Sequence, residues 1–145
     1  MHAVVGYSQR YWSAITVFVA AWIRVVLGLE LDDDGCPVGC DNKDTTKSGT
    51  YTSKVSPPEG NSCSCYPGLL KLANELEVFS STMTQLVFPD LIEVDAPGSE
   101  PAVEIRGDSS PKLTTVLFPK LVSIKSSGGR GLYLFQLRAV NVSFP

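Results

Sequence analysis

The sequence predicts an all-β chain wound as a β-solenoid of about three coils, and three recurring patterns carry that expectation. A corner of the form aromatic-Pro-x-Leu-x-x-aliphatic appears as Tyr66-Pro67-Gly68-Leu69-Leu70-Lys71-Leu72, as Phe88-Pro89-Asp90-Leu91-Ile92-Glu93-Val94 and as Phe118-Pro119-Lys120-Leu121-Val122-Ser123-Ile124, and it begins again at Phe144-Pro145. An alternating run precedes each later corner: Leu76-Glu77-Val78-Phe79, Val103-Glu104-Ile105-Arg106 and Leu132-Tyr133-Leu134-Phe135. Alternation of this kind is the signature of a half-buried strand. Between run and corner lies a third stretch, Met83-Thr84-Gln85-Leu86-Val87-Phe88, Leu113-Thr114-Thr115-Val116-Leu117-Phe118 and Ala139-Val140-Asn141-Val142-Ser143-Phe144, apolar in its first, fourth and sixth columns. Repeats of such a period mean one coil per repeat.

Taken in order, the chain opens with signal-peptide grammar. Residues 1–12 contain Arg10 and no acid, residues 14–23 are an apolar run, and Arg24 precedes Val25-Val26-Leu27-Gly28, whose small residues place a cut after Gly28. The alternative is an uncleaved anchor over residues 13–29, but Arg24 lies inside it and about 20 apolar residues are needed to cross a bilayer. Residues 29–62 form a polar, cysteine-containing segment, a linker or N-terminal cap. Its Asp, Asn, Thr, Ser, Lys, Gly and Pro content reads as flexible.

Cys36 and Cys40 stand near one end of that segment and Cys63 and Cys65 just past the other. Four cysteines in a secreted chain imply two disulfides. A Cys63–Cys65 bridge would close too tight a ring, which favours pairing Cys36 and Cys40 with Cys63 and Cys65. The alternative, a zinc site of four cysteines, lacks the paired Cys-x-x-Cys spacing and suits a reducing compartment.

Residues 63–145 form the solenoid, with three short strands per coil and turns such as Asp95-Ala96-Pro97-Gly98-Ser99-Glu100-Pro101 and Ser126-Ser127-Gly128-Gly129-Arg130-Gly131. The corner prolines are 22, 30 and 26 residues apart, so length varies in the loops while the corner is constant. Some six buried apolar side chains at about 1.5–3 kcal/mol each cannot offset a coil's backbone ordering at about 1–2 kcal/mol per residue. Coils must therefore stack, and their ends need caps. The fourth corner stops at Pro145, which reads as a C-terminally truncated solenoid lacking its cap.

These corners, with their strands and Leu-x-x-Leu-x-Phe-Pro approaches, resemble the receptor L domain of insulin-receptor and epidermal-growth-factor-receptor ectodomains, and are also similar to repeats in fungal cell-wall proteins. The resemblance covers roughly residues 63–145. It implies a right-handed, leucine-rich-repeat-like β-helix that carries no catalytic residues and no cofactor, and that recognises an extracellular protein or glycan. Its ligand-contacting positions lie outside the repeat motif, so none passes to a numbered residue here.

Composition narrows the chemistry. The chain carries a formal net charge of −3, and loss of residues 1–28 with Arg10 and Arg24 leaves ten basic residues against fifteen acidic ones, a net −5. The cations are scattered singly, which argues against a nucleic-acid partner. Membrane association is expected only through the signal peptide or through an anchor beyond Pro145. His2 is the single histidine and leaves with the leader, so no His-dependent triad or metal site is expected, and oxidised cysteines offer no thiolate.

Among carboxylates, only Glu77 and Glu104 share a column, with Tyr133 next. Two acids so placed could share a proton or bind a cation, as in polysaccharide-cleaving β-helices, but an exposed face with mild repulsion is the preferred reading. The neighbouring outward column holds Phe79, Arg106 and Phe135. Aromatics with an arginine are what recognition hot spots are made of, so Glu77, Phe79, Glu104, Arg106, Tyr133 and Phe135 form the candidate binding face. The competing reading packs Phe79 and Phe135 under loops or into the interior. Asn141-Val142-Ser143 is a glycosylation sequon whose Asn141 aligns with Gln85 and Thr115 and should face solvent. The expected protein is a secreted or cell-surface recognition module, with a structural or adhesive wall solenoid as the second reading.

Overall fold

The computed structural model describes residues 28–137 and 141–145. Two compact units make up the chain, Met1–Leu31 and Asp32–Pro145, and every strand among the described residues lies in the second. The expected leader occupies residues 1–28 and so falls outside the described residues apart from Gly28, as do Ala139 and Val140 of the third patterned stretch.

Twelve short strands follow one another: β1 Asn42–Lys43, β2 Gly49–Tyr51, β3 Cys63–Cys65, β4 Leu69–Leu72, β5 Leu76–Val78, β6 Gln85–Val87, β7 Glu93–Ala96, β8 Val103–Arg106, β9 Thr115–Leu117, β10 Ser123–Ser126, β11 Leu132–Phe135 and β12 Asn141–Ser143. They build three sheets, ordered β1-β3-β6-β9-β12, β2-β4-β7-β10 and β5-β8-β11. Every pairing is parallel. From β3 onward the chain visits the sheets in rotation, and each strand pairs with its counterpart one tier later. This all-β arrangement of parallel sheets is compatible with a β-solenoid.

The repeat columns coincide with the strand register. Lys71, Glu93 and Ser123 pair in succession, as do Leu72, Val94 and Ile124, and Leu86, Val116 and Val142. Alternate residues point inward because the side-chain period of a strand is two. Val94 and Ala96 in β7 and Val103 and Ile105 in β8 are accordingly fully buried between half-buried neighbours, whereas β3 and β9 are buried throughout; Met83, Phe88, Leu91 and Phe118, fully buried, and Leu113 and Leu121, nearly so, enter the core from between the strands.

The corner aromatics form one continuous stack through the core. Ring centroids lie 4.9 Å apart for Tyr66 and Phe88, 5.4 Å for Phe88 and Phe118, and 5.6 Å for Phe118 and Phe144, with planes within 12° of parallel. Separations of this size suit offset stacking. Tyr66 heads the stack as its polar member. Burial and the negative charge of Asp44 push its hydroxyl above the ordinary tyrosine range, against a hydrogen bond with Ser64.

The polar segment 29–62 departs from the expected flexible linker. It supplies β1, β2 and the parallel bridge of Val55 to Leu76, one contribution to each sheet. The reason is that strand edges of the next tier offer backbone partners, so the segment needs few apolar anchors: Val55 and Cys36 are fully buried and Tyr51 packs against the core. Asp41 strengthens the join by accepting hydrogen bonds from the Ser62 and Cys63 amides at 2.8 and 2.7 Å. The segment thus behaves as an ordered cap.

Disulfides Cys36–Cys65 and Cys40–Cys63 fasten this cap to β3, with Cα separations of 5.8 and 5.1 Å. The expected pairing between the two cysteine pairs holds, and the zinc alternative is displaced because no thiolate is left. Gly35, at φ 78°, is required where the cap crosses the second corner: a Cβ there would lie 2.9 Å from Pro89. Gly107 is required by close approach, since its Cβ would come within 2.2 Å of the Gln136 carbonyl oxygen.

Asp90 ties three tiers together at the corner, accepting from the Gly68 amide at 2.9 Å and from Lys120 Nζ at 2.7 Å. Burial pushes its carboxyl up, but these two hydrogen bonds outweigh it and hold the group below the usual aspartate range. A depressed carboxyl stabilises the fold above its unfolded pKa of about 3.9, and that contribution disappears as pH falls through the lower folded value.

Two outcomes are expected. Phe88→Ala removes the middle of the aromatic stack and should lower unfolding free energy by about 3–5 kcal/mol, read by chemical denaturation. Asp90→Asn should destabilise the protein at pH 7, and its difference from wild type should shrink progressively as pH falls from about 4 through the lower folded value, so parallel melting curves across this range check it.

Candidate binding face

The β5-β8-β11 sheet presents the six residues that the repeat alignment brought together. Register pairs Glu77 with Glu104 and Glu104 with Tyr133, and it sets Arg106 beside Phe135. Leu76, Val78, Val103 and Ile105 occupy the alternate, inward positions with no exposure. The outward residues are half-buried.

Arg106 is the centre of the face. Its guanidinium carbon lies 5.8 Å from the Phe79 ring centroid and 5.6 Å from that of Phe135, so the cation sits between one aromatic of the preceding tier and one of the next. Asp108 holds it from the side, accepting from Nε at 3.2 Å and from Nη2 at 2.9 Å. This pairing raises the arginine's pKa and lowers that of Asp108. Phe79 and Phe135 therefore pack on an outward cation, and the reading that sends them into the interior is set aside. Tyr133 and Phe135 are stacked, 6.0 Å between centroids and 6° between planes, and Arg130 lies 5.8 Å from the Tyr133 centroid.

The acidic column is not simply repulsive. Lys54 forms ion pairs with Glu77 and, at 3.7 Å, with Glu75. The contact with Glu77, ahead of the cost of burial, raises the Lys54 pKa, and Glu104 contributes through space. Lys54, from the cap segment, offsets on the Glu77 side the mild repulsion expected between Glu77 and Glu104.

Sequence reasoning missed Lys54, Asp108 and Arg130. Lys54 carried no signal because its segment lies outside the repeat. Asp108 stands two residues beyond Arg106 and follows from local spacing once the arginine is known to face outward.

A second exposed feature lies in the corner motif itself. Leu70, Ile92 and Val122 each follow the invariant corner leucine of this chain, and they are 47%, 43% and 76% exposed. Backbone hydrogen bonds link them in a ladder, the Ile92 amide to the Leu70 carbonyl and the Val122 amide to the Ile92 carbonyl. Asn141 is exposed, as its sequon requires, and pairs with Thr115 and through it with Gln85. Thr115 itself is buried.

Among the described residues no group of three His, Cys, Asp or Glu side chains is placed to hold a metal ion. Compared with known proteins, the chain matches no family model, no curated protein and no solved structure.

Lys54→Ala should leave Glu77 and Glu104 facing each other on adjacent strands without their cation. The expected cost is about 1 kcal/mol or less at low ionic strength, shrinking in 1 M salt, where the Debye length is about 3 Å. Denaturation with and without salt measures both.

Proposed function

We propose that the chain is a non-enzymatic recognition module of a secreted or cell-surface protein, a β-solenoid of the receptor L type whose ligand is an extracellular protein or glycan. The observation that carries the reading is the outward face of the β5-β8-β11 sheet, where Phe79, Arg106, Tyr133 and Phe135 form a rigid aromatic and cationic surface. Aromatic rings with an immobilised guanidinium suit recognition, because little side-chain entropy remains to be lost on binding. Two intramolecular disulfides of the kind typical of extracellular proteins support the compartment. The ion-paired state of Glu77 favours a binding role over glycoside cleavage, which needs a carboxylic acid and a carboxylate flanking one bond.

Binding of the purified, labelled chain to intact cells and to an immobilised panel of β-glucan, mannan and chitin oligosaccharides tests the proposal. Arg106→Ala and Tyr133→Ala should each weaken the observed binding about tenfold or more while leaving the melting temperature within a few degrees of wild type. Binding that survives both substitutions, or no binding in any arm, would sink the reading.

A further inference from the structure

A guanidinium offers two forks of N–H donors, and on Arg106 only one is taken. Asp108 accepts from Nε and Nη2 on the side-on fork, at 3.2 and 2.9 Å, while Phe79 and Phe135 fix the plane of the group from the tiers on either side. The end-on fork, formed by the outer N–H groups of Nη1 and Nη2, donates to nothing among the described residues. Two residues earlier on β8, Glu104 lies half-buried between Glu77 and Tyr133 in the register. Among the described residues its carboxylate has no hydrogen-bond or ion-pair partner, and it acts on Lys54 and Arg106 only through space.

Glu104 and Arg106 face the same side of β8, about 6–7 Å apart along it. That strand is the middle one of its sheet, so both residues are flanked by a tier on each side. A carboxylate only accepts and a guanidinium only donates, so a ligand that uses both must donate and accept. Charge opposes ions of either sign. An anion meets Glu75, Glu77, Glu104 and Asp108, whereas a cation meets Lys54, Arg106 and Arg130, and like charges brought together at a contact are a barrier to binding. An uncharged ligand that donates and accepts through the same atoms is one rich in hydroxyl groups. Neighbouring hydroxyls on a sugar ring present paired oxygens to a planar fork, and the ring's C–H groups suit the apolar bodies of Tyr133 and Phe135, which stack beside the two polar groups.

We infer that Glu104 and Arg106 form a subsite for an uncharged saccharide with adjacent free hydroxyls. The end-on fork of Arg106 donates to the hydroxyl oxygens, and Glu104 accepts from the hydroxyl protons. Asp108, Phe79 and Phe135 are positioning residues, because they hold the guanidinium and leave that fork outward. The subsite rests on the recognition role proposed for this face and narrows its ligand from protein or glycan to a neutral glycan.

Titration calorimetry of the full chain with cellulose and mannan oligosaccharides, with polygalacturonate as an anionic probe and chitosan as a cationic one, tests this. A second arm measures binding to intact cells before and after periodate, which cleaves the carbon–carbon bond between adjacent hydroxyl-bearing carbons. A neutral oligosaccharide should bind more tightly than either charged polymer, with affinity constant within about twofold between about 0.1 and 1 M salt. Arg106→Lys keeps the charge and loses the fork, and Glu104→Gln keeps the shape and loses one acceptor. Each should weaken neutral binding about tenfold with an unchanged circular dichroism spectrum. Val122→Thr, on the exposed corner ladder, should bind as wild type does, and periodate should abolish cell binding. Should Arg106→Lys misfold, Glu104→Gln and the periodate arm decide. Preference for a charged polymer, neutral binding indifferent to Glu104→Gln, an equal loss with Val122→Thr, or cell binding that survives periodate would each overturn the subsite. If periodate-resistant cell binding is still lost in Arg106→Ala, the recognition face stands without it; no binding in any arm removes both.

Discussion

Parallel pairing between successive tiers is the constraint on which the rest depends. A tier's strands are two to four residues long, and none pairs with another strand of its own tier. All of its sheet hydrogen bonds run to the tiers on either side. Because a shift of one residue would exchange inward for outward side chains in an alternating strand, register is enforced by the core. Equivalent residues therefore lie directly over one another, which is why Tyr66, Phe88, Phe118 and Phe144 meet face to face and why a corner motif recurs at all.

The same constraint explains the segment before the repeat. A first tier needs partners on its outer side, and residues 42–55 supply them with hardly any apolar content, because backbone groups rather than side chains are what the edge requires. Ordering so polar a segment costs conformational entropy that burial of Cys36, Tyr51 and Val55 cannot offset. The two disulfides reduce that cost by holding Cys36 and Cys40 near β3 even in the unfolded chain, a contribution of about 2–4 kcal/mol for a bridge of this class. At this end the core is bounded by Val55, by Tyr51 and by the hydrogen bond from Asn42 to Ser64.

Outward positions escape the constraint, and chemistry collects there. Inward columns must stay apolar and of similar volume, whereas an outward column can hold Phe79, Arg106 and Phe135 in succession. Stacking at the tier spacing turns such a column into a fixed array, with Asp108 restraining the arginine laterally. The surface of such stacked parallel sheets is in this sense built across tiers, one residue from each, so a continuous side-chain array forms without any loop.

Most of the repeat was legible in the chain itself. The Phe-Pro corners and the alternating runs placed the strands of residues 63–145, the inward columns, and the grouping of Glu77 with Glu104 and Tyr133, because a strand's period of two and a tier's constant corner are both local signals. Composition misjudged residues 29–62 as flexible, since low apolar content reports a lack of side chains to bury and says nothing of backbone edges waiting in another part of the fold. Which cysteine bonds which, that Lys54 pairs with Glu77, and that the rings of Phe79 and Phe135 enclose Arg106 were decided only in three dimensions. Each depends on distances between residues far apart in sequence, and spacing along a chain carries no information about those.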